Sequence, residues 1–176
     1  MSLFRVEAIV LKSKNLGEAD KILSLFTREL GKVTAVAKGV RKIKSKNRGA
    51  VQPFSLSSIM LYQGKNLDTV TQCQLLEGFP ALRSDLERMS YASYFAQLVD
   101  LMLPEREKNE EIFLLLLTSF YLLAHASLED GILELVARQF EIKLIARLGF
   151  QPELEQCVVC GGPLKSAPLK FSALLG

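Results

Sequence analysis

The sequence predicts an α+β chain, a small barrel of five antiparallel strands followed by a bundle of helices. Three observations predict it. Residues 4–77 hold five runs rich in Val, Ile, Leu, Thr and Phe, separated by turn signals. Past Phe79-Pro80 the apolar spacing changes from two to three or four. Of the 176 residues, 49% are apolar, enough to bury a sizeable core and to exclude a disordered chain.

The strand runs are FRVEAIVLK, DKILSLFT, KVTAVAKG, FSLSSIMLYQG and LDTVTQCQLLE. Such residues suit a pleated, half-buried surface. Asn15-Leu16-Gly17, Leu30-Gly31 and Gly64-Lys65-Asn66 punctuate them as turns. Alternation puts Val33, Ala35 and Ala37 on one face, and likewise Phe54, Leu56, Ser58, Met60 and Tyr62. Most connections are too short for parallel crossovers, so the sheet is expected to be antiparallel. The long gap, between the third and fourth strands, holds a basic stretch. Five short strands fit the Greek-key oligonucleotide-binding barrel, and an SH3-like barrel fits the same pattern.

In the second half, Ser84 is expected to cap a helix, with Glu87 in the capping-box position. Met89, Ala92, Phe95, Leu98/Val99 and Met102 then recur at helical spacing until Pro104. A second helix is expected over about 110–125. A third begins near Asp130, with Leu133, Val136, Phe140, Leu144 and Leu148 on one stripe, Ile132, Leu135, Ile142 and Ile145 beside it, and Gly149 closing it. Short connections make this an antiparallel bundle. The expected organisation is a nucleic-acid-binding barrel over 1–79, a helical bundle over 80–150 and an irregular segment over 151–176. The apolar run at 112–126 falls about five residues short of a bilayer span and reads as a buried helix, with no membrane partner. The N-terminal stretch lacks the pattern of a signal peptide. Three cysteines make no disulfide framework, so a cytoplasmic protein with reduced thiols is expected.

Charge is divided unevenly. Residues 1–80 hold 13 Lys/Arg against 6 Asp/Glu, whereas residues 81–176 hold 9 against 13. The stretch AKGVRKIKSKNRG carries Lys38, Arg41, Lys42, Lys44, Lys46 and Arg48 with no acid. A solvated loop is the plain reading of such a run, but a pure interaction scaffold has little need of six cations in eleven residues, and they suit a strip that neutralises phosphates. Tyr62 and Phe54 are candidate stacking platforms, but their shared face with Leu56 and Met60 points to core packing.

Catalytic chemistry is not legible. The single histidine, His125, lies in an apolar helix and reads as a core or boundary residue. There is no nucleotide-binding glycine motif, and no acid/base pair stands out, so the chain is expected not to be an enzyme. Cys157-Val158-Val159-Cys160 followed by Gly161-Gly162-Pro163 has the form of half a zinc knuckle. Cys73, in a strand run, reads as a small buried apolar residue. With two thiolates only, the metal site is incomplete; no cofactor is firmly expected, and zinc would need a longer chain with a second pair.

Two widely separated series, GEADKI…LFT…GK…AKG…R near the start and LGFQPELEQCVVCG near the end, occur with GAVQPFSLSSIMLYQGKNLDTVTQCQLLEGF and LERMSYASYFAQLVDLMLPERE between them. Together they resemble the bacterial RecO family of DNA repair proteins over essentially the whole chain. The resemblance implies an oligonucleotide-binding barrel and a helical domain. It further implies a non-enzymatic recombination mediator of the RecF pathway in the bacterial cytoplasm, associated with the nucleoid. Such a protein binds single- and double-stranded DNA and anneals complementary strands. It docks the C-terminal tail of the single-strand binding protein and acts with RecR in loading RecA. The family pattern also implies a longer chain with a second CxxC, so this chain reads as truncated. Arg138, Lys143 and Arg147 on the third helix are the expected cations for the acidic partner tail. The competing reading is an interaction scaffold, in which the helices dock partners and the barrel adds little DNA affinity.

Overall fold

The computed structural model describes residues 2–41, 48–65, 67–127, 131–164 and 170–172. Five strands, β1 (Leu3–Leu16), β2 (Asp20–Thr27), β3 (Gly31–Ala37), β4 (Leu56–Tyr62) and β5 (Asp68–Glu77), form a closed barrel in the order β1-β2-β3-β5-β4. A short 3₁₀ turn, Gly49–Val51, precedes β4. Four helices follow: α1 (Ala81–Ser84), α2 (Leu86–Met102), α3 (Glu110–His125) and α4 (Ile132–Arg147).

The sheet is mixed, not antiparallel throughout: β3 and β5 run parallel, with Ala35 opposite Asp68 and Ala37 opposite Val70. Topology requires this. A ring of five strands cannot alternate direction all the way round, so closure leaves at least one parallel pair. The long connection after β3 lets β4 return to β1 and β5 fill the gap. β1 serves both neighbours, pairing β4 over Leu3 to Ile9 and β2 from Ala8 to Leu16. A register shift between Val10 and Lys12 bends it between them.

Val6, Ala8, Leu23, Leu25, Val33, Ala35, Ile59, Leu61 and Val70 fill the barrel. The expected face of β4 is corrected here. Ile59 and Leu61 point inward, whereas Met60 is half-buried and Tyr62 is exposed. Phe54, just before β4, takes a φ of +70°, and it packs on the helices, 5.7 Å from the Phe120 ring centroid. Cys73 is half-buried and packs against the barrel core, and burial pushes its thiol pKa up.

The helical boundaries also differ from expectation. Asp85, not Ser84, caps α2, its carboxylate accepting from the Arg88 amide at 2.8 Å. Ser84 is absorbed into the extra turn α1 that begins after Pro80. Asp130 lies outside the described residues; α4 is entered from Gly131, whose φ of +84° suits glycine. Gly149 follows α4 with φ +87°, as a helix-ending glycine does. α3 is buried on one side only: Ile112, Phe113, Leu116, Phe120 and Leu123 face the core while Leu114, Tyr121 and Leu122 do not. His125 is exposed in the last turn, its Nδ1 2.9 Å from the Tyr121 carbonyl. Arg88, on α2, is buried and donates to the Leu123 and Ala126 carbonyls at the end of α3. A cation there satisfies orphan acceptors and complements the helix dipole.

A second core joins the barrel exterior to the helices. Ile9, Leu11 and Phe26 on the outer face of β1 and β2 pack with Phe95, Val99, Phe113 and Phe120. Arg28 pins this seam, pairing with Glu7 at 2.5 Å and with Glu110 at 3.4 Å while its guanidinium lies 5.4 Å from the Phe113 ring centroid.

Candidate nucleic-acid interface

One group of the barrel's cations, Lys21, Lys38 and Arg41, lies where β2 begins and β3 ends. The β1–β2 turn and the turn after β3 are stitched together there. The Arg41 amide donates to the Ala19 carbonyl at 3.0 Å, and its guanidinium donates to the Gly17 carbonyl at 2.5 Å. The Gly39 amide donates to Asp20 Oδ1 at 2.8 Å. Gly17 and Gly39, with φ of +57° and +68°, allow both turns to fold this tightly.

Lys21 stands opposite Ala37 across β2 and β3. It continues the inward column of Leu23 and Leu25 to the barrel's rim. Partial burial, then the charges of Arg41 and Arg48, push its ammonium pKa below the ordinary lysine value. Arg41 and Arg48 thus both act on one lysine through their charges. A crowd of like charges is stabilised by anything that brings negative charge to it. Lys38 and Arg41 are exposed, as is Arg48. Lys42, Lys44 and Lys46 lie outside the described residues. Lys21 was missed by sequence reasoning. The signal was available: a cation at a position whose parity belongs to the core column marks a barrel rim.

The three cations nominated on α4 are differently placed. Arg138 is held by Glu141 at 2.9 Å and by Glu134 at 3.2 Å. Those carboxylates raise its pKa further, and Tyr94 shares Glu141. Arg147 donates to the Lys143 carbonyl at 3.3 Å and lies 3.7 Å from Glu111. Lys143 is exposed with no ion pair among the described residues. Where α3 ends and α4 begins, at the end of the pair away from Arg147, the two helices frame an apolar groove of about 480 Å³, lined by Tyr121, Leu122, His125, Ala126, Ile132 and Val136.

The cysteine loop is built as a turn. The Cys157 amide donates to the Gly162 carbonyl at 2.9 Å, and the Gly161 amide donates to the Cys157 carbonyl at 2.8 Å. The Cys157 thiol is held below its usual range, first by the Cys160 amide, then by the Val159 amide and the Cys160 thiol. Amides aimed at sulfur suit a thiolate, and hence a metal ligand. Among the described residues no three His, Cys, Asp or Glu side chains gather as a metal would need. Among them, too, no helix is long and apolar enough to cross a membrane.

A second polar surface, not singled out by the sequence, lies on the outer side of β1, β4 and β5. There Arg5, Ser58, Met60, Thr71, Gln72 and Gln74 line an open groove of about 290 Å³.

Comparison with known proteins finds two family segments along the chain. Residues 1–79 match the family described as "Recombination protein O N terminal", and residues 83–175 match "Recombination protein O C terminal". The DNA repair protein RecO of Pelotomaculum thermopropionicum is 50% identical over 176 residues, covering 100% of this chain and 66% of its own length. That of Heliobacterium modesticaldum is 47% identical over 167 residues, covering 95% and 59%. That of Symbiobacterium thermophilum is 43% identical over 178 residues, covering 100% and 69%. The chain thus spans about two thirds of the length of these relatives. With both family segments matched in order and identity of this level along the whole chain, the chain belongs to the RecO family of DNA repair proteins.

Proposed function

We propose that this chain is a non-catalytic, DNA-binding mediator of recombinational repair, and that the basic segment at the barrel rim is where it holds phosphates. The observation that carries the proposal is that Arg41 is tied back to Ala19 and Gly17, at the rim where Lys21 begins β2. Lys38 adjoins them, and Lys42, Lys44 and Lys46 fall between Arg41 and Arg48 in sequence. Phosphates answer such a cluster without reading sequence. The strand order β1-β2-β3-β5-β4, closed on β1, supports the oligonucleotide-binding version of the barrel over the SH3-like one.

The finer roles follow the family: binding of single- and double-stranded DNA, annealing of complementary strands, and action with RecR in loading RecA. The α3–α4 groove is the proposed dock for the acidic, apolar-ended tail of the single-strand binding protein. It supplies an apolar slot, and Lys143, two turns along α4 from Val136, is a cation that no carboxylate of the described residues already holds. The CVVC turn is proposed as half of a zinc site. A second pair of ligands from a longer chain would complete it, and two thiolates alone should not retain the metal.

The test is a titration of labelled single-stranded DNA across a salt series. Replacing Lys38, Arg41, Lys42 and Lys44 with Ala should weaken binding of every sequence alike. The slope of log K against log salt should become shallower by roughly 0.7–0.9 for each phosphate that is no longer neutralised. Unchanged affinity at low salt would refute the assignment.

A further inference from the structure

The polar groove on the outer side of β1, β4 and β5 has no part in the electrostatic role just described. Its rows are set by the pairing of the three strands. Arg5 stands opposite Met60, and Met60 opposite Gln72. Glu7 stands opposite Ser58, and Ser58 opposite Gln74. Residues two apart on a strand share a face, so Leu3 and Tyr62, paired at the end of the same columns, extend this surface. A bulge opens it. The register shifts between Met60 and Leu61, and the Thr71 hydroxyl donates to the Met60 carbonyl at 3.1 Å.

Among the described residues, no partner holds the side chain of Arg5, Gln72 or Gln74. Glu7, the one carboxylate in these rows, is held by Arg28 at 2.5 Å. The groove therefore offers one uncommitted cation, two uncommitted amides and no free acid.

Its position is equally specific. β3 leaves β5 after Ala37 opposite Val70, and Lys38 is the next residue. At the far end of the basic segment, a Cβ on Gly49 would lie 3.8 Å from Leu75 Cδ2. The basic segment thus departs from β5 at residue 70 and returns to it at residue 75. Gln72 and Gln74 lie between those two points.

We infer that this groove receives the bases of a single-stranded nucleic acid whose phosphates are held by the adjoining basic segment. Resting on the nucleic-acid reading above, the inference extends it from charge to base recognition. A carboxamide presents a donor and an acceptor in one plane, the complement of a base edge. Two of them, two residues apart on one strand, form a short ladder. Tyr62, 39% exposed on the same face, offers a ring on which a base can stack. One arginine is too little charge to hold a backbone alone. The polar lining and small volume exclude an apolar drug-sized ligand.

The experiment uses the whole chain and two labelled probes of equal length, an oligo-dT and an abasic strand with the same phosphates. The native chain should bind oligo-dT more tightly than the abasic strand, by roughly fivefold or more. A Gln72→Ala/Gln74→Ala variant should lose that preference. Its affinity for the abasic strand and its salt slope should stay unchanged, because base recognition releases no counterions. A Lys38→Ala/Arg41→Ala variant should weaken both probes in the same proportion. In the native chain, photocrosslinks from 4-thiothymidine should fall within residues 3–7 or 58–74, a readout that needs no variant to fold. A preference for bases that survives in the glutamine variant, or crosslinks confined to other segments, would overturn the groove and leave the charge assignment standing. Equal affinity of the native chain for the two probes would do the same. Failure of the native chain to bind either probe would overturn both.

Discussion

Asp100 shows how a single side chain joins the two halves of the molecule. It sits on α2, yet its carboxylate accepts from Lys12 of β1 and from Ser24 of β2, both at 2.8 Å. Lys32 of β3 donates to its backbone carbonyl at 2.6 Å. Burial alone would raise the Asp100 pKa. The bonds from Lys12 and Ser24 and the charges of Lys12 and Lys32 outweigh it and hold the carboxyl below its usual range. A carboxyl depressed in the folded state contributes stability that is fully present above its unfolded pKa of about 3.9 and is lost as pH falls through the folded value. Asp100→Asn should therefore cost about 1 kcal/mol at neutral pH. The gap from the native chain should close as pH drops below about 4. Urea unfolding of both proteins at several pH values measures it; a gap that stays constant down to the acid limit would refute the coupling. None of this was legible in the sequence, where Asp100 is one more polar residue in an amphipathic helix. Sequence could place Asp100 on a helix but could not show what it would meet.

At the scale of elements, the connection between α2 and α3 is held down on the start of β3. The Arg106 amide donates to the Lys32 carbonyl at 2.8 Å, and the Arg106 guanidinium reaches the buried carboxylate of Asp68 on β5, also at 2.8 Å. Arg106 itself takes a φ of +61°. Gly31 makes the approach possible. Its φ is +72°, and a Cβ there would lie 2.0 Å from the Glu107 carbonyl oxygen. Gly31→Ala combines a disfavoured backbone with a backbone clash, and should destabilise the protein by about 2 kcal/mol or more. Thermal unfolding of the variant checks this; an unchanged midpoint would mean that the connection is not seated as described. Leu30-Gly31 reads as a turn from sequence alone, and it is one. That the turn is also a docking seat depends on a segment more than seventy residues further along the chain.

For the molecule as a whole, the decisive feature is the core shared across the seam. Ile9, Leu11, Phe26, Phe54 and Leu56 come from the barrel half, and they are buried by Phe95, Phe113 and Phe120 from the helical half. Each large side chain of this kind contributes roughly 1.5–3 kcal/mol by leaving water. Residues 1–79 expressed alone should accordingly lose several kcal/mol of stability and expose an apolar patch. Loss of a cooperative melt, or self-association seen by light scattering, is the expected result. A monomeric fragment as stable as the whole chain would show that the seam contributes little. The shared core also bears on function, because it sets the basic rim of the barrel and the α3–α4 groove in one frame.

The sequence by itself determined the class of fold, the five strand runs, the change of period near Phe79, and the basic segment from Lys38 to Arg48. It also carried the family, through motifs at both ends of the chain. These are local properties: alternation, helical spacing, turn residues and charge density are written in neighbouring positions. Tertiary structure decided what depends on closure and packing. It made one strand pair parallel, because five strands in a ring cannot all alternate. It turned Ile59 and Leu61 inward and Tyr62 outward, because alternation says which residues of β4 share a face but only closure of the barrel says which face is inside. It placed His125 at the surface, because α3 has helical neighbours on one side only. And it brought Lys21 to the basic rim and Gln72 and Gln74 beside it, because residues far apart in sequence become neighbours only when the barrel closes.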